Sequence, residues 1–284
     1  MIYLLTVNYY STSLIDRLIR SLPSNPTTLH QIVIVNNSPK DQTLQLLGSD
    51  TVQILEAKTN LGFSNACNLG LNWVYAQDPK AFVWIINPDT YLPENTLEKV
   101  PGFFEAHPEL SILGTLIYTP TDEIWFAGGR FTPERGAIVS IDLLSSHSES
   151  SYVSCDWVSG CSLLINLRHF CECPQFDPAY FLYYEDFDFC RRYASQGHQI
   201  AITSQLAVVH QASSITDRNL TKKFQHSTYS YLLTLERYTN KAIFLQRFLR
   251  LTLHALILLC IKPQTAFGKL AGVSSYLKRV IHNC

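Results

Sequence analysis

The chain has 284 residues, 46% of them hydrophobic and 16% charged, with a formal net charge of −1. That supplies a sizeable core, in one large domain or two small ones. The near-neutral balance excludes a general nucleic-acid binder.

The run "IYLLTVNYY" (2–10) is an apolar strand ending in polar residues, and a helical stretch follows through Leu22. "QIVIVNN" (31–37) repeats that pattern, residues 40–47 read as helical, and 52–55 as a short strand. "NLGFSNACNLGLNWVYA" (60–76) reads as a loop opening a helix, and "AFVWIINPD" (81–89) as a further buried strand. Near-continuous apolar strands alternating with helices predict a parallel sheet covered on both faces. Ligands of such sheets bind beyond the carboxyl ends of the strands, where Asn8, Asn36, Asn37 and Asp89 fall. Residues 112–170 hold short β runs and turns, with an exposed Ser-rich loop over 141–151. A helix is expected from about Glu185, two strands in "HQIAITSQLAVVHQ" (198–211), and helices from about Thr216 to the end.

No GxGxxG follows the first strand and no GxxxxGK[ST] occurs, so dinucleotide and P-loop readings lose their main support. The eight cysteines form no CxxC pair and no zinc-like spacing. Met1 enters a strand-like run with no basic n-region. The expectation is a cytoplasmic protein with reduced thiols.

Four constellations could carry chemistry. Asp89 in "NPDT" places a carboxylate at a strand end, where it can ligate a hard divalent cation that also holds phosphate oxygens; otherwise it forms a turn. "FLYYEDFDFCRR" (181–192) sets Glu185, Asp186 and Asp188 among aromatic rings, an environment that adjusts carboxylates for general-base work, although acids also gather at helix N-termini. His210 ends a strand as Asp89 does, and imidazole ligates metals. In "NLGFSNACNLG" (60–70) a tight turn opens a helix whose N-terminus suits an anion, with Asn60, Asn65 and Asn68 as a polar edge.

In their order these segments, with "IVIVNNS", "FAGGRF", "DWVSGCSLLI" and "VVHQASS", resemble the family 2 glycosyltransferases of GT-A fold, particularly the rhamnosyltransferase-like branch, over roughly residues 2–215. The resemblance implies an α/β fold with a central, mostly parallel sheet flanked by helices. It divides the chain into a catalytic domain over 1–215 and a C-terminal helical, basic amphipathic region over 216–284. It makes Asp89 and His210 ligands of Mg2+ or Mn2+ bridging the donor diphosphate. Asn87 stands where many relatives carry a first Asp. It marks Asp186 as catalytic base, with Glu185 as an acceptor-positioning neighbour or the alternative base. Asn8, Asn36, Asn60, Asn68 and Asn87 become donor contacts, with Trp157, Gly160 and Cys161 lining the sugar pocket. Asn36 departs from the Asp common in relatives, which leaves the nucleotide open between dTDP and UDP. The implied reaction is inverting transfer of a sugar, with rhamnose favoured, to a glycan or lipid-linked acceptor in cell-surface polysaccharide synthesis. The competing reading is a catalytically silent sugar-nucleotide or glycan-binding scaffold at the membrane. A nucleotidyltransferase is a third, and "VNYYSTS" lacks the basic residue it would need near the first strand.

The tail carries its own signal. Residues 241–284 contain Lys241, Arg247, Arg250, Lys262, Lys269, Lys278 and Arg279 and no Asp or Glu, so residues 1–240 carry −8. The uninterrupted apolar run 251–261 makes about 17 Å of helix against roughly 30 Å of bilayer hydrocarbon. Extending it to "AIFLQRFLRLTLHALILLCI" (242–261) puts Arg247, Arg250 and His254 on one helix face. This predicts an amphipathic helix lying on the cytoplasmic face of the inner membrane rather than spanning it. Packing on the domain, or a homodimer contact, is the other use for such a helix.

Overall fold

The structure, a computed structural model, describes residues 1–23, 27–39, 41–147, 149–211 and 219–282. The chain runs β1 (Ile2–Asn8), α1 (Thr12–Arg20), β2 (His30–Asn36), β3 (Val52–Glu56), α2 (Gly62–Gln77), β4 (Phe82–Ile86) and β5 (Thr90–Tyr91). It continues through α3 (Thr96–Ala106), β6 (Leu110–Tyr118), β7 (Ile124–Phe126), β8 (Gly129–Thr132), β9 (Ala137–Ser140), β10 (Val153–Ser154) and β11 (Ser162–Asn166). Last come α4 (Glu185–Ser195), β12 (Gln199–His210), α5 (Leu220–Tyr238), α6 (Lys241–Leu258) and α7 (Pro263–His282).

The expected α/β architecture is present. All of β1, β4 and β11 are buried, which is why they read as unbroken apolar runs. The sheet order is β10-β12-β6-β11-β4-β1-β2-β3, with β5 added to β12 and β7 to β6. The half β4-β1-β2-β3 is parallel throughout, as alternating strands and helices require. In the other half β11 runs antiparallel between β4 and β6, while β12 is parallel to β6. Three strands are pinned by one buried hydroxyl: Ser162 Oγ accepts from Trp84 Nε1 at 2.9 Å and from Thr115 Oγ1 at 2.7 Å.

Two local expectations change. Residues 199–210 form one strand, not two. The polar Thr203-Ser204-Gln205 break, which reads as a turn, is absorbed by a register shift between Thr203 and Ala207. Thr203 Oγ1 accepts from Gln205 N and donates to Ser151 O at 2.6 Å, so the interruption is satisfied in place. The helix expected over 40–47 is a 3-10 turn, Gln42–Leu47, capped by Asp41 on Thr43 N; residue 40 lies outside the described residues.

Gly62 opens α2 at φ +77°, and Phe63 N donates to Phe181 O at 2.8 Å. A Cβ at Gly62 would lie 2.4 Å from that same carbonyl. Gly62→Ala therefore meets a left-handed backbone penalty and a backbone collision, and is expected to cost about 2–3 kcal/mol. Urea unfolding checks this: an unchanged midpoint would mean that the turn relaxes freely.

The expected boundary between residues 215 and 216 lies outside the described residues. From Leu220 onward the described chain is three helices. α7 approaches α5 closely at Gly268 and Gly272, where added Cβ atoms would lie 2.5 Å from Thr221 O and 2.6 Å from Gln225 O. The inner face of α6, Phe244, Phe248 and Leu251, packs on Leu232, Val273 and Tyr276. Among the described residues no helix is long and apolar enough to cross a membrane.

Candidate active site

The site begins where β4 runs out. Pro88 cannot continue the ladder, and the chain turns through Asp89 into β5. β5 pairs antiparallel with the end of β12, setting Thr90 against His210. That register brings Asp89 and His210 together: His210 Nε2 lies 3.2 Å from Asp89 Oδ1, with both side chains buried. The edge of the His210 ring meets the half-exposed Trp125 at 4.6 Å. His210 Nδ1 has no hydrogen-bond partner among the described residues. From α1, Arg17 reaches behind the pair, donating to Gln211 Oε1 at 2.6 Å and approaching Asp89 O at 3.5 Å. Neither Arg17 nor Trp125 stood out in the sequence, because each lies in an ordinary amphipathic or apolar run.

The donor set suits a divalent cation. A carboxylate suits Mg2+ or Mn2+, whereas an imidazole is a ligand of transition metals rather than of Mg2+, so the pair, which converges in a buried corner, favours Mn2+ of the two. Among the described residues no third His, Cys, Asp or Glu joins them. The nearby Cys161 thiol is pushed well up by burial, then by the charges of Asp89 and Asp186. The described residues here thus offer two candidate ligands for a divalent cation.

The 160–161 backbone joins this corner to Asp186. The Cys161 carbonyl accepts from Asn87 N at 2.9 Å, which joins the β4 exit to the β11 entry. Next to it Gly160 N donates to Asp186 Oδ2 at 2.9 Å, and Phe187 N donates to Asp186 Oδ1 at 2.8 Å. Tyr183 and Tyr184 both have positive φ, 70° and 65°, immediately before α4. Strain of this kind persists only where the surroundings hold it, and here it sets the angle at which α4 presents Asp186. Trp157 packs on Phe126 at 5.1 Å and forms a bridge to Gly129. Its Nε1 is buried without a hydrogen-bond partner among the described residues.

The three carboxylates of "EDFD" take three different environments. Asp186 is half-buried and capped by two N–H groups. Burial raises its pKa, opposed by those hydrogen bonds. Glu185 is buried, and its Oε2 has no hydrogen-bond partner among the described residues. Burial, then the neighbouring Asp186, pushes its carboxyl well up. Asp188 is fully buried in an ion cluster, accepting from Arg192 Nε at 2.7 Å, Arg237 Nη1 at 3.1 Å and Tyr238 OH at 2.9 Å.

Glu185 has a stability consequence. Its folded pKa lies above the unfolded value of about 4.3, so the folded state holds the proton more tightly. Stability then falls as pH rises from about 4.3 toward the folded value. Glu185→Gln removes that slope, and its melting temperature should gain on wild type from acid to neutral pH. Parallel curves of melting temperature against pH would show that folding does not raise the Glu185 pKa.

At the carboxyl ends of β1 and β2 the asparagines are largely committed to the protein itself. Asn8 Nδ2 donates to Asn36 Oδ1 and Asp41 Oδ2, and its Oδ1 accepts from Ser11 N and Oγ. Asn36 Nδ2 donates to Glu56 Oε2 at 2.9 Å. Asn37 clasps the 60–62 turn through Leu61 N, Asn60 Oδ1 and Gly62 O. Asn68 differs most from expectation. Its amide exchanges two 2.8 Å hydrogen bonds with the Phe176 backbone, so it ties α2 to the chain entering α4 instead of facing a ligand. Asn60 is exposed and uses only Oδ1 among the described contacts, and Asn87 is half-buried at the end of β4.

The sequence profile of glycosyl transferase family 2 matches residues 3–152, just over half of the chain. The low-salt glycan biosynthesis hexosyltransferase Agl10 of Haloferax volcanii is 22% identical over 213 residues, covering 73% of this chain and 66% of its own length. The N-acetylglucosaminyl-diphospho-decaprenol L-rhamnosyltransferase of Mycobacterium tuberculosis is 23% identical over 258 residues, covering 82% and 84%. Among solved structures, GalNAc-T7 with UDP, GalNAc and Mn2+ superposes at a TM-score of 0.62 with 12% identity, over all of this chain and 57% of that one. S. aureus TarS 1-349 in complex with UDP superposes at 0.53 with 18% identity, over 82% and 64%. The chain thus spans just under two thirds of the hexosyltransferase and little over half of GalNAc-T7. It belongs to glycosyl transferase family 2, as a GT-A glycosyltransferase similar to the rhamnosyltransferases.

Proposed function

We propose that this protein transfers a sugar, with inversion, from a nucleoside-diphosphate donor to a glycan or lipid-linked acceptor in surface-glycan synthesis. The observation that carries this reading is the convergence of the buried Asp89–His210 pair at the β4 exit with the Asp186 carboxylate, linked through Asn87 N to Cys161 O and Gly160 N to Asp186 Oδ2. The catalytic unit is taken as residues 1–215, with 216–284 as a helical, basic region.

Asp89 and His210 would hold Mg2+ or Mn2+, whose charge makes the diphosphate a better leaving group. Asp186 accepts the proton of the acceptor hydroxyl as that oxygen attacks the anomeric carbon. The bond from that carbon to the diphosphate breaks on the opposite face, and the nucleoside diphosphate departs with the electron pair. A single displacement inverts the configuration. Gly160 N–H keeps the base aimed, and Trp157, Gly160 and Cys161 wall the sugar. Asn8 and Asn36 shape the nucleoside end by holding Asp41 and Glu56 in place, while Asn60 and Asn87 offer free amide capacity. The rhamnosyltransferase named above and the UDP complexes of the structural neighbours make dTDP-rhamnose and UDP-sugars the first donors to test.

The test is nucleotide release from a panel of sugar nucleotides with Mn2+, with Mg2+ and with EDTA. Metal-dependent turnover of one donor establishes the reading and names the sugar. Thermal stabilisation by a donor without turnover, even with acceptor extracts added, would favour a sugar-nucleotide-binding scaffold. No stabilisation by any donor would sink both.

A further inference from the structure

The α6 helix is apolar on two sides. One side packs inward through Phe244, Phe248 and Leu251. The other carries Leu245, Leu249, Leu253, Leu256, Ile257 and, just beyond the helix, Ile261, each between 49% and 67% exposed. Their spacing of three and four residues makes a continuous outward stripe along the helix. A soluble surface rarely tolerates such a stripe without a partner.

Charge identifies the partner. Lys241 and Arg250 are exposed and lie about 80–100° to either side of Leu249 on the helix circumference, so cations flank the stripe. Arg247 is turned inward and donates to Arg135 O, which fixes α6 against the β8–β9 hairpin. Arg135, Arg247 and Arg250, with Glu134, Ile243 and Gln246, line a notch of about 210 Å³ beside the stripe. Lys262 follows the helix, and no acid occurs anywhere from 241 to 284. An apolar face edged by cations matches a bilayer interface bearing anionic headgroups. A second copy of the chain would present the same cations and meet like charge.

We infer that α6 docks this protein on an anionic membrane, with Leu245, Leu249, Leu253 and Leu256 in the acyl boundary and the basic notch against headgroup phosphates. The helix stays folded on α5 and α7 while it lies in the surface plane. This inference does not depend on the proposed reaction, and its test reads no sugar transfer.

Purified full-length protein is floated with phosphatidylcholine vesicles, with and without about 30% phosphatidylglycerol. Wild type should float with the anionic vesicles at least tenfold better than with neutral ones, and lose that preference in high salt. Leu249→Glu/Leu253→Glu replaces exposed side chains, so the fold should survive, and flotation should fall at least tenfold. Arg250→Glu should lose mainly the preference for anionic vesicles. Flotation that ignores lipid charge or the leucine changes overturns the inference. So does sedimentation showing a wild-type dimer that the leucine variant converts to monomer with vesicle binding unaltered, because the stripe would then be a self-association face.

Discussion

Asp186→Asn is expected to lower sugar transfer by about 10³-fold while leaving donor binding intact, because general-base assistance supplies roughly 10²–10⁴ in rate. The substitution is close to isosteric. Its amide oxygen can still accept from Gly160 N, which now meets Asp186 Oδ2 at 2.9 Å, at the cost of the Phe187 N–H bond to Oδ1, so most of the α4 N-terminus should hold its place. What disappears is the capacity to take a proton. The same assignment predicts the pH profile. Burial raises the Asp186 carboxyl above the ordinary value of about 3.9, although the Gly160 and Phe187 N–H groups pull it back. The base works when ionised, so the rate should climb with pH through that raised value and then level. Glu185→Gln should cost far less activity, since burial pushes the Glu185 carboxyl well up and so favours the neutral form that the amide replaces. Transfer rates and donor-induced thermal shifts on both variants check this. If Asp186→Asn keeps most of its rate while Glu185→Gln loses it, the two carboxylates exchange roles.

The features legible in the sequence were those encoded locally. Buried strands announce themselves as apolar runs, so β1, β2 and β4 and the polar residues at their carboxyl ends could be placed. The start of α4 at Glu185 was readable from its acids. Asp89 and His210 were each weak alone, and only the register of β5 on β12 makes them neighbours across 121 positions of chain. What stayed hidden depends on partners far away in sequence. Asn68 looks like a ligand-reading amide until Phe176, 108 residues later, takes both of its atoms. The glycines of α7 look unremarkable until α5 is laid against them. The tail's basic face was legible, but its division was not: Arg247 turns inward to a carbonyl at Arg135 while Arg250 stays outside. Thr203-Ser204-Gln205 has the composition of a turn, and only a neighbouring strand able to absorb a bulge keeps β12 whole.

Asp188→Ala is expected to destabilise the fold by about 3 kcal/mol, the scale on which removing one partner of a buried ion pair acts. Asp188 sits two residues beyond the proposed base, yet its work is structural. Its fully buried carboxylate accepts from Arg192 on its own helix and from Arg237 and Tyr238 on α5. Arg237 also donates to Asp177 at 2.6 Å, and Arg192 to Gln175 O at 2.8 Å. One carboxylate thus fastens α5 to α4 and to the 175–177 segment that Asn68 holds from behind. Truncation leaves two guanidiniums sharing a carboxylate-sized void. Both are about one-third exposed and keep their second partners, which limits the loss to the lower part of the usual 3–5 kcal/mol range. Arg237→Ala should cost less, because Arg192 and Tyr238 still satisfy Asp188. The order Asp188→Ala worse than Arg237→Ala, read from urea midpoints, is the signature of a carboxylate hub. Amide exchange should quicken in α5 for both variants, and donor turnover per folded molecule should fall if α5 helps hold Asp186 in position. An Asp188→Ala protein within about 0.5 kcal/mol of wild type would mean the cluster behaves as a solvated surface network, and α5 would then be held by its apolar packing on α7 alone.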